Sequence, residues 1–273
     1  MLERIEITTK QGSTLVLPIG DSTEGYFVKD ITGLDPVKAT LVSSSVASID
    51  GAQYQSSRRE TRNLVFKIGV EISQRYGSVS ALRKRLSSFL MPKSEAHFRF
   101  FSDDMPPVDI SARVETFEFP LFTQEPEAIC SLIAYDPDFI EAESTTFTGA
   151  ATSVPTEFGL NYEGSVETGF KFRLNVTRNI SEFKITHRSS DDFVGSFEYA
   201  DTLLAGDVVE ISTVSGNKYV TLTRNGSEQP KLYAMSPYSN WINVFPGLNY
   251  LGLVIEGGGM PYTIEYNNRY GGL

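Results

Sequence analysis

Residues 33–70 read GLDPVKATLVSSSVASIDGAQYQSSRRETRNLVFKIGV, and the rest of the chain is organised around them. Val37 to Val42 and Leu64 to Ile72 alternate apolar and polar residues with period two, the pattern of half-buried strands. Between them, Ser43 to Arg62 holds almost no large apolar side chain, carries the turn dipeptide Asp50-Gly51, and ends in Arg58, Arg59 and Arg62. A loop of about twenty residues is too long for a simple connection and is expected to reach out and touch something. Asp50, Gly51 and the three arginines are the candidate contact residues.

Working outward, Leu2 to Thr9 and Ser13 to Pro18 predict a hairpin around Gln11-Gly12, and Gly25 to Ile31 a third strand. After the central stretch comes a predicted helix over 78–91: Ser78 as N-cap, Val79, Leu82, Leu86, Phe89 and Leu90 on one face, and Pro92 as its stop. Arg83, Lys84 and Arg85 lie on the opposite face. Phe98 to Phe101, Val108 to Phe119 and Ala128 to Tyr135 predict further strands, so the first 140 residues read as an α+β layer with one covering helix.

From Glu141 to Pro155 the composition shifts to Glu, Ser, Thr, Ala and Gly, which predicts a linker. Residues 156–273 then show short strands separated by turn signals, with no helical period. The segments are Gly164 to Asn175, Phe183 to His187, Phe193 to Phe197, Asp207 to Ser212, Lys218 to Thr223 and Leu251 to Glu256. Ser215-Gly216-Asn217 and Asn225-Gly226 supply hairpin turns. The second domain is expected to be a β-sandwich, galectin-like or jelly-roll, and the whole protein mainly β.

Composition narrows the function. The chain has 273 residues, enough for two domains that each bury a core, and a net charge of −10 that repels nucleic acid and anionic lipid. Its one cysteine, Cys130, has no partner for a disulfide and sits in strand alternation, as a small core residue does. No apolar run reaches membrane-spanning or signal-peptide length, so the chain is expected to be made in cytosol, without membrane insertion. The sequons at Asn175, Asn179 and Asn225 then carry no meaning.

Chemistry is poorly supplied. His97 and His187, the only histidines, fall in different predicted domains, and no phosphate loop, dinucleotide fingerprint or nucleophile elbow is present. Asp103, Asp104 and Asp109 offer oxygen ligands, but beside Met105-Pro106-Pro107 they read better as a solvated turn than as a calcium site. No catalytic residue, metal or cofactor is expected. Tyr238, Trp241, Phe245 and Tyr250 leave open a sugar-stacking surface, against the simpler reading of core aromatics.

Several phrases carry a resemblance. Gly33-Leu34-Asp35-Pro36, Ala39-Thr40, Asp50-Gly51 and Arg59 to Asn63 are followed by Pro92-Lys93, Val114-Glu115, Leu121-Phe122 and Ala134-Tyr135-Asp136-Pro137-Asp138-Phe139. Later come Ala205-Gly206-Asp207-Val208, Asn225-Gly226, Ser239-Asn240-Trp241 and Phe245-Pro246-Gly247-Leu248-Asn249. In this order they resemble the distal tail protein family of long-tailed, non-contractile bacteriophages.

The resemblance implies a structural virion protein, not an enzyme. It implies a homo-hexameric ring that joins the tail tube protein to the baseplate hub or tail-tip protein, with receptor-binding proteins as further partners. DNA passes through its channel without specific binding, and assembly takes place in the host bacterial cytoplasm. The alternative is an adhesin that binds carbohydrate through the C-terminal sandwich.

Overall fold

Alternating side chains in the N-terminal strands put every second residue into one core. In the computed structural model, which describes all residues except 23–24, 46, 49, 73–77, 121–124, 155 and 190–193, the chain divides into two compact units. The first comprises Met1–Ala142 and Tyr270–Leu273, and the second Glu143–Arg269. Leu121-Phe122 and the start of the Phe193 segment lie outside the described residues.

The first unit contains β1 (Leu2–Thr9), β2 (Thr14–Pro18), β3 (Tyr26–Thr32), β4 (Ala39–Ser44), β5 (Gln53–Arg59) and β6 (Arg62–Val70). After α1 (Val79–Phe89) come β7 (Glu95–Ser102), β8 (Val108–Glu118), β9 (Glu127–Ala134) and β10 (Phe139–Glu141). The main sheet runs β2-β1-β7-β8-β9-β6-β3, each neighbour antiparallel. A parallel bridge between Ile19 and Val28 brings its two ends together, so the sheet curls back on itself and its outermost strands are not left open.

Ile5, Ile7, Leu64, Phe66, Ile68, Phe98, Phe100, Ile110 and Leu132 fill the interior, with Phe66 stacked on Phe98 at 5.5 Å between ring centroids. Helix α1 adds Leu82, Leu86 and Phe89 to this core. Ser78 caps it, its Oγ accepting from the Ala81 amide at 3.2 Å, and the buried Tyr26 hydroxyl donates to the Leu82 carbonyl at 2.8 Å. Arg83 and Arg85 do not simply face water: each lies over a ring, of Phe119 and Tyr26 respectively.

The second unit is a β-sandwich. Its strands are β11 (Thr145–Ala150), β12 (Phe158–Tyr162), β13 (Lys171–Asn175), β14 (Ile180–Ser189), β15 (Val194–Leu203), β16 (Val208–Ser212) and β17 (Tyr219–Arg224). They are followed by β18 (Ser227–Pro230), β19 (Gly247–Val254) and β20 (Pro261–Tyr266), after which the two-residue β21 (Arg269–Tyr270) pairs with β10 and joins the first sheet. One sheet runs β11-β20-β13-β16-β17-β18 and the other β12-β19-β14-β15. Their inward residues, among them Phe172, Leu174, Phe183, Phe197, Tyr199, Leu222 and Ile264, share one core.

The stretch read as a linker holds β11, paired with β20 along its whole length from Thr145–Tyr266 to Ala150–Pro261. The protein is thus mainly β with one α-helix among the described residues, as its periodicities predict.

Two turns explain phrases of the sequence. Asn249 is fully buried, and its carboxamide accepts from the Phe245 amide at 3.0 Å and donates to the Phe245 and Gly247 carbonyls at 2.7 and 3.0 Å. Asp207 accepts from the Leu204 amide at 2.7 Å and pairs with Arg224, Nη2 to Oδ2, at 2.6 Å. Arg224 and the bond to Leu204 together hold its carboxyl below the usual range, the Arg224 hydrogen bond acting most strongly.

Candidate assembly interface

The predicted twenty-residue loop is instead an arm. Ser-rich and short of core residues, Gln53 to Arg59 forms β5 and pairs with β4 in a two-stranded sheet of its own. Every residue of β5 is exposed, and so is every residue of β4 but Thr40. The correction has a physical reason: cross-strand backbone bonds satisfy the polar groups of a Ser-rich segment without any apolar face, so the pairing leaves no periodic signal. The register is Ala39–Arg59, Thr40–Arg58, Leu41–Ser57 and Val42–Ser56, then a bulge, then Ser43–Tyr54 and Ser44–Gln53.

Directly opposed residues point to the same side, which gives the arm two distinct faces. Leu41, Ser43, Tyr54 and Ser57 share one, as the 2.7 Å bond from the Tyr54 hydroxyl to Ser57 Oγ requires. Thr40, Val42, Ser56 and Arg58 share the other. Leu41 is 69% exposed and Tyr54 61%. Asp50 and Gly51 turn the chain at the tip, both exposed, and Gly51 takes φ +95°. Arg58 is exposed and forms no ion pair among the described residues.

Arg59 and Arg62 do something different from Arg58. They fasten the root of the arm to its own unit. Arg59 forms a two-pronged pair with Asp138, Nη2 to Oδ2 at 2.9 Å and Nη1 to Oδ1, and Asp138 is only 2% exposed.

Arg62 is 1% exposed. Its Nε donates to the Pro137 carbonyl at 2.6 Å, its Nη1 to Asp35 O at 2.7 Å and to Gly33 O, and its Nη2 to Gly271 O at 2.5 Å. The guanidinium also lies over the Phe139 ring, 4.4 Å from its centroid. Burial lowers its pKa from the ordinary arginine value, while Asp138 pulls the other way. The planar fork of donors is what one residue needs to bind carbonyls from three separate segments.

Gly33 is part of the same knot. It takes φ +93°, and a Cβ there would sit 1.9 Å from the Asn63 carbonyl oxygen. The phrases Gly33 to Pro36, Arg59 to Asn63 and Asp136 to Phe139 therefore meet in space. Asp138 and the returning residues Gly271 and Leu273, whose amide donates to Leu34 O at 3.0 Å, were invisible as partners in the sequence.

The other candidates have structural employment. Asp109 pairs with Arg99 at 2.7 Å and His97 at 3.2 Å, and these partners outweigh burial to hold its carboxyl down at about 2. Asp103 lies against the Met1 amino group and Asp104 against Ser102. His187 is buried, stacked on Phe245, and donates Nε2 to Asn249 Oδ1 at 2.9 Å. Cys130 is fully buried and its thiol is pushed up to about 12 by burial. Among the described residues no cluster of three or more His, Cys, Asp or Glu is arranged to hold a metal.

Residues 163–270 match the family described as the siphovirus-type tail component, C-terminal domain. No curated protein sequence matches the chain. Among solved structures, the Dit protein of phage SPP1, described as a paradigm of the hub adsorption apparatus in phages that infect Gram-positive hosts, shares the fold. Its TM-score is 0.68 at 16% identity, over 97% of this chain and 98% of that one. The phage p2 baseplate in its activated conformation aligns at a TM-score of 0.49 and 8% identity, over 95% of this chain and 97% of that one. Residues 163–270 thus match the C-terminal domain of siphovirus-type tail components, and the whole chain shares the fold of the SPP1 Dit protein.

Proposed function

We propose that the chain builds a hexameric ring at the tip of a siphovirus tail, joining the tail tube to the baseplate hub or tail-tip protein. The observation that carries this reading is the arm. Ordering backbone costs roughly 1 to 2 kcal/mol per residue, and an exposed hairpin with no core recovers little of it within its own chain. Two anchors, the pair of Arg59 with the buried Asp138 and the buried Arg62 knot, nevertheless fix its root. A fixed root and an exposed, pair-forming body suit contact with a neighbouring copy.

In that assembly each arm meets a different surface of the next subunit, a head-to-tail contact that closes into a ring. Arg58, Asp50 and Gly51 are the arm residues placed to make it, while Arg59 and Arg62 hold the arm in position. The second units are available to receptor-binding proteins. The net charge of −10 suits a channel through which DNA passes without being held. The protein works as part of the virion, assembled in the host cytoplasm, and performs no catalysis.

Replacing residues 41–57 by a short Gly-Ser turn and measuring sedimentation tests the reading. The expected result is loss of the ring with both units folded; a ring of unchanged size without the arm would overturn it.

One observation favours a second reading. Tyr238 is 90% and Tyr233 74% exposed on the second unit, as sugar-stacking rings are. Trp241 and Phe245 instead pack inward, against Phe197 and His187. A glycan array separates the two: binding lost in Tyr238→Ala would establish a carbohydrate role.

A further inference from the structure

We propose that the outer face of the sheet β12-β19-β14-β15, on the second unit, is a binding trough for a neutral oligosaccharide. It deepens the carbohydrate reading above, on which it rests, by naming the site and the class of sugar.

Register builds the trough. Opposed residues on neighbouring strands share a face, and on the outer one Gly252, Thr186 and Ser196 stand side by side across β19, β14 and β15. This row of small residues lies between two rows of longer ones. Tyr250, Arg188 and Val194 form one wall, and Val254, Lys184 and Glu198 the other. Lys184 and Arg188 are four residues apart on one strand, so the walls stand about 13 Å apart at roughly 3.3 Å per residue.

Other segments bound both ends. At Gly252 the chain at Thr156 lies against the sheet, where a Cβ on the glycine would come 2.9 Å from the Thr156 carbonyl oxygen and 2.8 Å from Thr186 Oγ1. At β15 the Asn240 amide donates to Ser196 O at 2.7 Å, and Ser239 Oγ accepts from the Glu198 amide at 2.9 Å. The same segment carries Tyr238, 90% exposed. The resulting cavity measures about 540 Å³, the scale of a small-molecule site.

Its lining sets the class of ligand. Thr186, Ser196 and Asn240 each donate and accept, as sugar hydroxyls do. Arg188 is held in place, its Nη2 2.9 Å from Glu157 Oε2 and its guanidinium over the Tyr250 ring at 4.1 Å. Lys184 is exposed and forms no ion pair among the described residues, so its donors are free. The cations Lys184 and Arg188 are matched by the carboxylates Glu157 and Glu198. Past Lys184 a smaller cavity of about 200 Å³ adds Glu182 and Glu256, so a polyanion would be repelled. A neutral ligand rich in hydroxyls meets this mixture without an unmatched charge.

The test is an array of neutral hexose and N-acetylhexosamine oligosaccharides, with polyphosphate and dextran sulfate as polyanionic probes, read with the full chain and its variants. The expected result is binding to a neutral oligosaccharide and none to the polyanions. Lys184→Met, and Ser196→Trp, which fills the floor, are each expected to weaken it by roughly tenfold or more. Arg173→Met, on the exposed face of the other sheet, should leave it unchanged. Lys184 is exposed and unpaired, so its variant tests the site even if Ser196→Trp fails to fold.

No binding to any sugar removes the carbohydrate reading and this proposal together. Binding that survives Lys184→Met overturns the trough and leaves the carbohydrate reading to Tyr238→Ala. Preference for polyphosphate or dextran sulfate overturns the neutral class.

Discussion

Arg62 and Gly271 are 209 residues apart in sequence, yet the guanidinium of one donates to the carbonyl of the other at 2.5 Å. This bond belongs to the knot that gathers Gly33, Asp35 and Pro137 around one buried side chain. The root of the arm is therefore tied to three separate segments of its unit, although the arm itself has no core.

Arg62→Met is expected to destabilise the first unit by about 3 kcal/mol or more, since several carbonyls would lose a charged donor at once. Arg62→Lys should recover only part of this, because a point charge cannot reproduce the planar fork. Calorimetry of the full chain checks both. Equal stability of the lysine variant and the original would contradict the account.

Gly33→Ala tests the crossing beside that knot. The added Cβ meets a backbone oxygen at 1.9 Å and the backbone takes φ +93°, so neither partner can give way cheaply. A loss on the order of 2 to 4 kcal/mol is expected. Hydrogen exchange should locate the disturbance at the amides of 33–36 and 62–64 and leave the second unit untouched.

Strand periodicity made much of this fold legible. β1 spans the predicted Leu2 to Thr9, Ser78 caps α1, and Asn249 bonds the turn that its place after Pro246-Gly247 suggested. What was hidden shares one property, the lack of an apolar stripe. β5 (QYQSSRR) and β11 (TTFTGA) hold one large ring each, Tyr54 and Phe147, among small or polar residues, and their order comes from pairing with a neighbour strand. The three arginines looked alike in sequence because the partner that separates them, Asp138, lies 79 residues from Arg59.

In the second unit, His187 is the pH-sensitive element. Burial depresses its pKa below 6.5, while its bond to Asn249 and the charge of Glu157 oppose the shift. A depressed pKa means that the folded state favours the neutral ring. Its contribution is present above pH 6.5 and lost as pH falls below it. Trp241 is the only tryptophan, so its fluorescence reports this unit. The melting temperature read from it should fall between pH 7 and pH 5, and a flat profile in that range would argue against the buried ring.

Cys130 gives the alkaline counterpart in the first unit. Burial raises its pKa from 9.0 to about 12, so the stability it supplies is present below pH 9 and lost as pH rises toward 12. Native thiol labelling should be negligible at pH 8. Cys130→Ser is expected to cost about 1 to 3 kcal/mol through a buried hydroxyl, with assembly intact. Rapid labelling of the folded protein would contradict the burial.

The central claim is the ring, and native mass measurement of the purified chain tests it most directly, with negative-stain imaging of the same sample. The account predicts six times the single-chain mass and a sixfold annulus around an open channel, both lost when residues 41–57 are removed. A single-chain mass at every concentration up to that of the concentrated stock, with no annular particles, would contradict it.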